Sequence, residues 1–264
     1  FWDGKTKTVV NAALLQLTID ITIETKVSVP SVDKEVQENS TGNYGDAADY
    51  SIGDDVPFQF NSVVPDMTQF ETYKYVFHDT MVEGLTFNKD SVEISINGGT
   101  PISETLYKVV TKEDENLDCT FEIRFENLKS AVATERAVAG NPITITFNAK
   151  LNEKAVGGSM GNSNKVKLEY SNNPNDSGDG VPSTGETPED EVLVFTYELD
   201  TTKVDGQNDN KKLKDAEFHL SREVVVTEAQ GDTPAVTETQ WAVVNDKGKI
   251  TRWVKAEANA EGYV

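Results

Sequence analysis

Ile143–Phe147 reads ITITF, an alternation of apolar and hydroxyl side chains that indicates the fold class of this chain. Because successive strand side chains point to opposite faces, a period of two gives one apolar face and one polar face. The same period recurs in Leu15–Ile23, Val56–Phe60 and Val92–Ile96. One short helix is predicted near residues 130–139, with Ser130 as its N-cap. Many short, half-polar strands are typical of an antiparallel β-sandwich, so the chain is predicted to be all-β.

The composition changes sharply after Asn172, where Asn, Asp, Gly and Pro replace apolar residues and indicate a linker. A second series of strands begins at Leu193–Leu199 and contains too few strands for a complete sandwich. The predicted division is a leading strand or the end of an upstream segment (1–25), a first sandwich (26–176), a linker (177–191) and a truncated second sandwich (192–264).

The charge balance excludes several classes of partner. The 264 residues carry 45 acidic and 24 basic side chains, a formal net charge of −21. Nucleic acids and anionic membrane surfaces bind basic faces, so neither is expected as a partner. No stretch is long and apolar enough to insert into a bilayer. The charge is best explained by a solvated, repulsive exterior.

The sequence contains few cysteine and histidine side chains that could bind a metal or act as a nucleophile. A single cysteine, Cys119, rules out an internal disulfide framework and a thiolate metal cluster. The two histidines, His78 and His219, lie far apart in sequence, which leaves little material for a zinc site or a catalytic triad. Neither a metal nor a cofactor is expected.

Three polar residues occupy positions where the alternation demands an apolar one: Lys34, Asp79 and Asn172. They extend the rows Val32/Val36, Tyr73/Tyr75/Phe77 and Val166/Leu168/Tyr170, respectively. Taken singly, each has a plainer interpretation, as a lysine at the rim or as turn residues. Three polar groups directed into one core would be costly unless they meet. The neighbouring Glu122, Glu126 and Asn173 have the opposite parity and are expected to face solvent.

If the three groups meet, the amine of Lys34 can attack the side-chain amide of Asn172 and form an isopeptide bond. Burial lowers the pKa of a lysine and raises that of a carboxyl, so a protonated Asp79 could assist as the acid. The bond would close a loop of about 138 residues and stabilise the fold by on the order of 5 kcal/mol. The reaction occurs once per molecule, so the chain is not expected to be an enzyme.

Three motifs carry a resemblance to a known family. Residues 29–36 (VPSVDKEV), 77–87 (FHDTM…GLTF) and 167–174 (KLEYSNNP) resemble the isopeptide-forming middle domain of sortase-assembled fimbrial subunits from Gram-positive bacteria. The resemblance covers roughly residues 26–176 and implies an Ig-like, collagen-adhesin-type sandwich. It implies the lysine, the acid and the asparagine at Lys34, Asp79 and Asn172.

The segment from about Glu191 resembles the start of a collagen-adhesin B-type domain. Residues 200–205 (DTTKVD) resemble its lysine strand, which implies Lys203 as a donor. Residues 256–263 resemble its acid-bearing segment and point to Glu257, although the Lys and Pro of that pattern are missing. The partner asparagine is expected beyond Val264, so Lys203 is predicted to remain a free amine. Val181–Gly185 (VPSTG) resembles an LPXTG sorting signal, but no apolar span follows it, and it is interpreted as linker.

The resemblance implies a structural subunit of an extracellular, cell-wall-anchored fimbria, joined to neighbouring pilin subunits by sortase. The alternative is a pilus-tip or cell-wall adhesin that binds a host protein or glycan on the same scaffold. A large insertion or an exposed aromatic patch would favour that alternative. A secreted enzyme with accessory sandwiches is a third interpretation, supported only by the surplus of carboxylates.

Overall fold

The computed structural model describes residues 29–175, 183–199, 201–215, 218–227 and 234–255. The predicted leading segment, 1–25, lies outside these ranges. Within them the regular structure consists of 17 strands, one α-helix and one short 3-10 helix, which confirms the all-β prediction. In chain order the strands are β1 (Val32–Gln37), β2 (Tyr44–Gly45), β3 (Ala47–Asp49), β4 (Asp55–Val63), β5 (Tyr75–Met81), β6 (Leu85–Ile96), β7 (Lys108–Thr111), β8 (Phe121–Phe125), β9 (Pro142–Leu151), β10 (Asn162–Ser171), β11 (Thr184–Glu186), β12 (Asp190–Phe195), β13 (Val204–Asp205), β14 (Asn208–Lys212), β15 (Ser221–Thr227), β16 (Val236–Val244) and β17 (Ile250–Lys255).

Two sheets pack face to face to form a sandwich. The first has the order β2-β1-β4-β9-β6, and the second has the order β3-β12-β10-β5-β8-β7, with β11 added beside β10. Neighbouring strands are antiparallel except β3 and β12, which run parallel. Phe60 of β4 stacks on Phe77 of β5 with ring centroids 5.7 Å apart, which joins the two sheets through their apolar faces.

The helix α1 spans Leu128–Thr134 and begins two residues before the predicted start. Its N-cap is Asn127 rather than Ser130, because the Asn127 side chain accepts a hydrogen bond from the backbone N–H of Lys129 at 3.2 Å. The same oxygen accepts from the backbone N–H of Tyr73 at 3.1 Å, which fixes the helix start against the strand β5 region.

The structure moves the boundary between the two predicted units. Strand β12, placed by the sequence at the start of the second sandwich, pairs with β10 and β3 of the first. Strand β11, placed in the linker, also pairs with β10. The first sandwich therefore extends to about Phe195, because Val192 and Val194 fill its core and are fully buried. Alternation identifies a strand with one buried face but does not say which sheet covers that face.

The remaining described strands form a hairpin, β13–β14, and a three-stranded sheet, β15-β16-β17. This sheet contacts the first sandwich at the loop that precedes β4. Arg222 of β15 pairs with Asp54 at 2.6 Å, and the indole N–H of Trp253 donates to the Ile52 carbonyl at 3.0 Å. The Arg222 guanidinium also lies 4.4 Å from the Trp253 ring centroid. That these strands belong to a collagen-adhesin B-type domain stays a prediction.

Gly84 provides a test of the packing at one end of the sandwich. A Cβ added there would lie 2.7 Å from Ala155 Cα and 2.7 Å from the buried Asn162 Oδ1. Because backbone cannot move aside cheaply, we expect Gly84→Ala to lower the free energy of unfolding by about 1–3 kcal/mol, measured by denaturant titration. Gly45→Ala is the control, since nothing lies within 4 Å of its added Cβ. Equal stability of the two variants would contradict this packing.

Candidate functional site

Lys34 and Asp79 meet inside the sandwich, although they belong to different sheets. Lys34 lies on β1 and is 1% exposed, and Asp79 lies on β5 and is fully buried. The Lys34 Nζ forms an ion pair with Asp79 Oδ2. The alternation places each residue on the apolar face of its own strand, and face-to-face packing of the sheets joins the two side chains.

The surroundings of this pair are aromatic. The Lys34 Nζ lies 4.6 Å from the centroid of the Phe60 ring, and 5.5 Å from each of the Phe58 and Phe147 ring centroids. The ring faces give the ammonium a partial electrostatic substitute for water. They also complete an apolar wall around the amine.

Burial changes the acid–base chemistry of both groups. Desolvation lowers the pKa of Lys34 to about 8, while the charge of Asp79 acts in the opposite direction. Desolvation raises the pKa of Asp79 to about 6, against the lowering influence of Lys34. The site therefore brings a lysine close to its neutral amine form and a carboxyl close to its acid form.

Asp190 also holds Lys34 in place, and the sequence did not single it out. The backbone N–H of Lys34 donates to Asp190 Oδ2 at 2.6 Å, a bond from β1 to the first residue of β12 in the opposite sheet. Asp190 carries no feature of composition or spacing that would have marked it, because its role depends on where β12 packs.

The structure does not bring Asn172 to this pair, which corrects the sequence prediction. Asn172 follows the end of β10, is partly exposed, and its backbone N–H donates to the Ser183 carbonyl at 3.2 Å. On β10 the residue opposite Asp79 is Val166. Asn172 is six positions after Val166, which corresponds to about 20 Å at the usual rise of a strand.

Asn164 occupies the position expected of the third group. It lies two residues before Val166 on β10, shares its parity, and is fully buried. Its side chain lies beside the Asp79 carboxyl and lowers the pKa of that group. Yet among the described residues neither polar atom of the Asn164 amide, nor Asp79 Oδ1, makes a hydrogen bond of normal geometry. An unpaired buried amide costs about 1–3 kcal/mol, so this group requires an explanation.

Parity along β10 was therefore informative but incomplete. Asn162, Asn164 and Asn172 all share the parity of the apolar row, and alternation cannot choose among them. The antiparallel register with β5 decides, since it places Asp79 beside the first half of β10. Asn162 has a structural role, because its side chain bonds the backbone of Val156 and Val194.

The other predicted residues lie away from this site. Lys203 is exposed, and its carbonyl accepts from the Leu213 N–H at 2.9 Å. Glu257 lies outside the described residues. Glu126 is exposed as expected. Glu122 lies on the outer face of the sheet, as its parity requires, but is only 8% exposed because ion pairs with His78 and Arg124 cover it.

Among the residues that the structure describes, no helix has the length and apolar character needed to cross a membrane.

Comparison with known proteins relates part of this chain to surface and pilin proteins of Gram-positive bacteria. Residues 52–174 match the family described as Gram-positive pilin backbone subunit 2, Cna-B-like domain. The chain is 30% identical over 204 residues to the trypsin-resistant surface T6 protein of Streptococcus pyogenes serotype M6, covering 69% of this chain and 34% of that protein. The chain thus spans about a third of the length of this relative.

A solved structure shares the fold. The 35 kDa C-terminal fragment of the major pilin GBS80 of Streptococcus agalactiae superposes with a TM-score of 0.55 at 23% sequence identity. The superposition covers 89% of this chain and 83% of that fragment. At this level of identity the likeness bears on the fold alone, and it agrees with the sandwich described above.

Proposed function

Because residues 52–174 match the Gram-positive pilin backbone family, we propose that this chain is part of a structural pilus subunit whose first sandwich is closed by a Lys34–Asn164 isopeptide bond. The observation that supports the bond is the convergence of a buried lysine, a buried carboxyl and a buried unpaired amide. The cell surface is the proposed location, and neighbouring subunits joined by sortase are the proposed partners. Wall anchoring belongs to the same proposal.

The chemistry needs only the groups already present. The neutral Nζ of Lys34 attacks Cγ of Asn164, a new C–N bond forms, and the Cγ–Nδ2 bond breaks. Asp79 donates a proton toward the Asn164 amide, receives one from the attacking nitrogen, and ends in its starting form. The products are one amide and one ammonia, so atoms and charge balance without an oxidant. Folding supplies the orientation, which replaces a bimolecular encounter.

The bond would join the two sheets. Lys34 lies on β1 of the first sheet and Asn164 on β10 of the second. The enclosed loop is about 130 residues long, and constraining it in the unfolded chain is worth on the order of 5 kcal/mol. Force applied along a fibre could then not separate β1 from β10, which is the property a pilus shaft requires.

Intact-mass spectrometry distinguishes the two candidate asparagines. We expect the protein without substitutions to weigh one ammonia less than the mass calculated from its sequence. The Asn164→Ala variant should have its full calculated mass. Asn172→Ala is the matched control and should keep the deficit, since Asn172 shares the parity of Asn164 but lies beyond the end of β10. Peptide mapping should recover Lys34 and Asn164 in one branched fragment.

Two results would count against parts of this proposal. Loss of the deficit in Asn172→Ala, with its retention in Asn164→Ala, would show that the asparagine has been assigned wrongly. If the protein without substitutions has its full sequence mass, the cross-link does not form, while the match of residues 52–174 to the pilin family is unaffected.

A further inference from the structure

The outer face of the second sheet brings together three side chains that the sequence keeps apart. His78 lies on β5, Glu122 directly opposite on β8, and Cys119 just before β8. The His78 Nδ1 is 3.0 Å from Glu122 Oε1, and the Cys119 Sγ is 3.9 Å from the same oxygen. One ligand atom from each residue lies within 4.8 Å of the others.

We propose that His78, Cys119 and Glu122 bind one Zn²⁺ ion, with water as the fourth ligand. Zinc bonds of about 2.0–2.3 Å to nitrogen, oxygen and sulfur in a tetrahedron hold the ligand atoms roughly 3.3–3.8 Å apart. The two measured separations, 3.0 Å from His78 Nδ1 to Glu122 Oε1 and 3.9 Å from Cys119 Sγ to the same oxygen, lie on either side of that range. Movements of the ligand atoms of about 1 Å would therefore bring them into the distances of a zinc site. The mixed nitrogen, sulfur and oxygen set selects zinc over calcium or magnesium, which require oxygen ligands.

Outer contacts orient two of the three ligands for this role. The second ring nitrogen of His78 pairs with Glu169 Oε2 at 3.2 Å, and Glu169 is itself held by Lys74 at 2.8 Å. The second oxygen of Glu122 pairs with the Arg124 guanidinium. Such carboxylate–histidine contacts typically fix the ring orientation in zinc sites. Here they leave His78 Nδ1 and Glu122 Oε1 facing each other at 3.0 Å.

Charge and burial are also suitable. A thiolate and a carboxylate together neutralise a divalent ion, and the side chains of His78 and Glu122 are only 16% and 11% exposed. A bound ion would tie the segment before β8 to β5.

Titration of the metal-free, full chain with Co²⁺ tests the site, because a cysteine ligand produces a thiolate-to-cobalt absorption band in the near ultraviolet. We expect a band that saturates at one equivalent and disappears on addition of Zn²⁺. Cys119→Ala should abolish it. Competition with a chromogenic chelator should show Zn²⁺ affinity reduced at least about tenfold in His78→Gln and in Glu169→Gln. His219→Ala, outside the cluster, should bind as the unmodified chain does.

Absence of the band at saturating Co²⁺ would overturn the site. So would Zn²⁺ affinity that is unchanged in both Cys119→Ala and His78→Gln, since binding would then occur elsewhere on the acidic surface. Circular dichroism of each metal-free variant establishes that it is folded, and Cys119→Ser serves if the alanine variant is not. The outcome is independent of the cross-link, which involves the opposite face of β5.

Discussion

Replacing Lys34 by methionine is expected to prevent the proposed internal cross-link and to lower the melting temperature of the first sandwich by roughly 10–20 °C. The loss corresponds to on the order of 5 kcal/mol of loop constraint, at about 2–4 °C per kcal/mol for a domain of this size. Methionine fills a similar volume against the rings of Phe60 and Phe147, so the change removes the reactive amine with little effect on packing.

Calorimetry together with intact-mass measurement checks this expectation. Lys167→Met is the matched control, because Lys167 lies on β10 but its amine pairs with Glu186 on the exposed outer face. The control should keep both the ammonia deficit and the melting temperature. A Lys34→Met protein that melts with the unmodified chain would show that the bond is absent or contributes nothing to stability.

Replacing Asp79 by alanine is expected to be more destabilising than replacing Lys34. The substitution removes the proposed acid, so the bond should not form, and it leaves the Lys34 amine buried among aromatic rings without its counter-charge. Lys34→Met also breaks this pair, but methionine fills the volume of the lysine, whereas alanine leaves the volume of the Asp79 carboxyl empty. Asp79→Ala therefore adds the cost of a cavity to the lost constraint. Mass spectrometry should show the full sequence mass, and the unfolding midpoint should fall below that of Lys34→Met.

A double variant and a second carboxylate separate the two contributions. Lys34→Met combined with Asp79→Ala should be more stable than Asp79→Ala alone, because no unpaired charge remains in the core. Glu122→Ala removes a buried carboxylate from the opposite face of the sheet and should keep the ammonia deficit. If Asp79→Ala retained the deficit and Glu122→Ala lost it, the acid would have been assigned to the wrong residue.

The assignment of strands to units shows the limit of local patterns. The alternation in Leu193–Leu199 indicates a strand, and β12 includes its first three residues. The residues of β12 that fill the core are Val192 and Val194, whereas Tyr197 and Leu199, beyond its end, are exposed. It nevertheless suggested a new sandwich, because sequence order and a Gly- and Pro-rich segment were the only guides to partners. Pairing of β12 with β10 and β3 depends on hydrogen bonds between residues that are remote in sequence. The alternation within one strand carries no information about these partners.

The same distinction explains why the positions of Asn164 and of the His78–Cys119–Glu122 cluster were not predicted. Asn164 was available to the parity argument as much as Asn172, but only the register between β10 and β5 says which of them lies beside Asp79. His78 and Cys119 are 41 positions apart, and the β5–β8 pairing makes them neighbours. The spacing of these residues along the chain therefore does not predict that Asn164 lies beside Asp79, or that His78 lies beside Cys119.

The sequence by itself determined the all-β class, the buried positions of Lys34 and Asp79, and the family resemblance, because a strand's two faces are set by a steric period of two. Tertiary structure alone decided which asparagine faces the pair, where the first sandwich ends, and which outer side chains cluster. Those outcomes depend on strand register and sheet packing. The free energy that stabilises one register over another comes from contacts between distant segments rather than from any one strand.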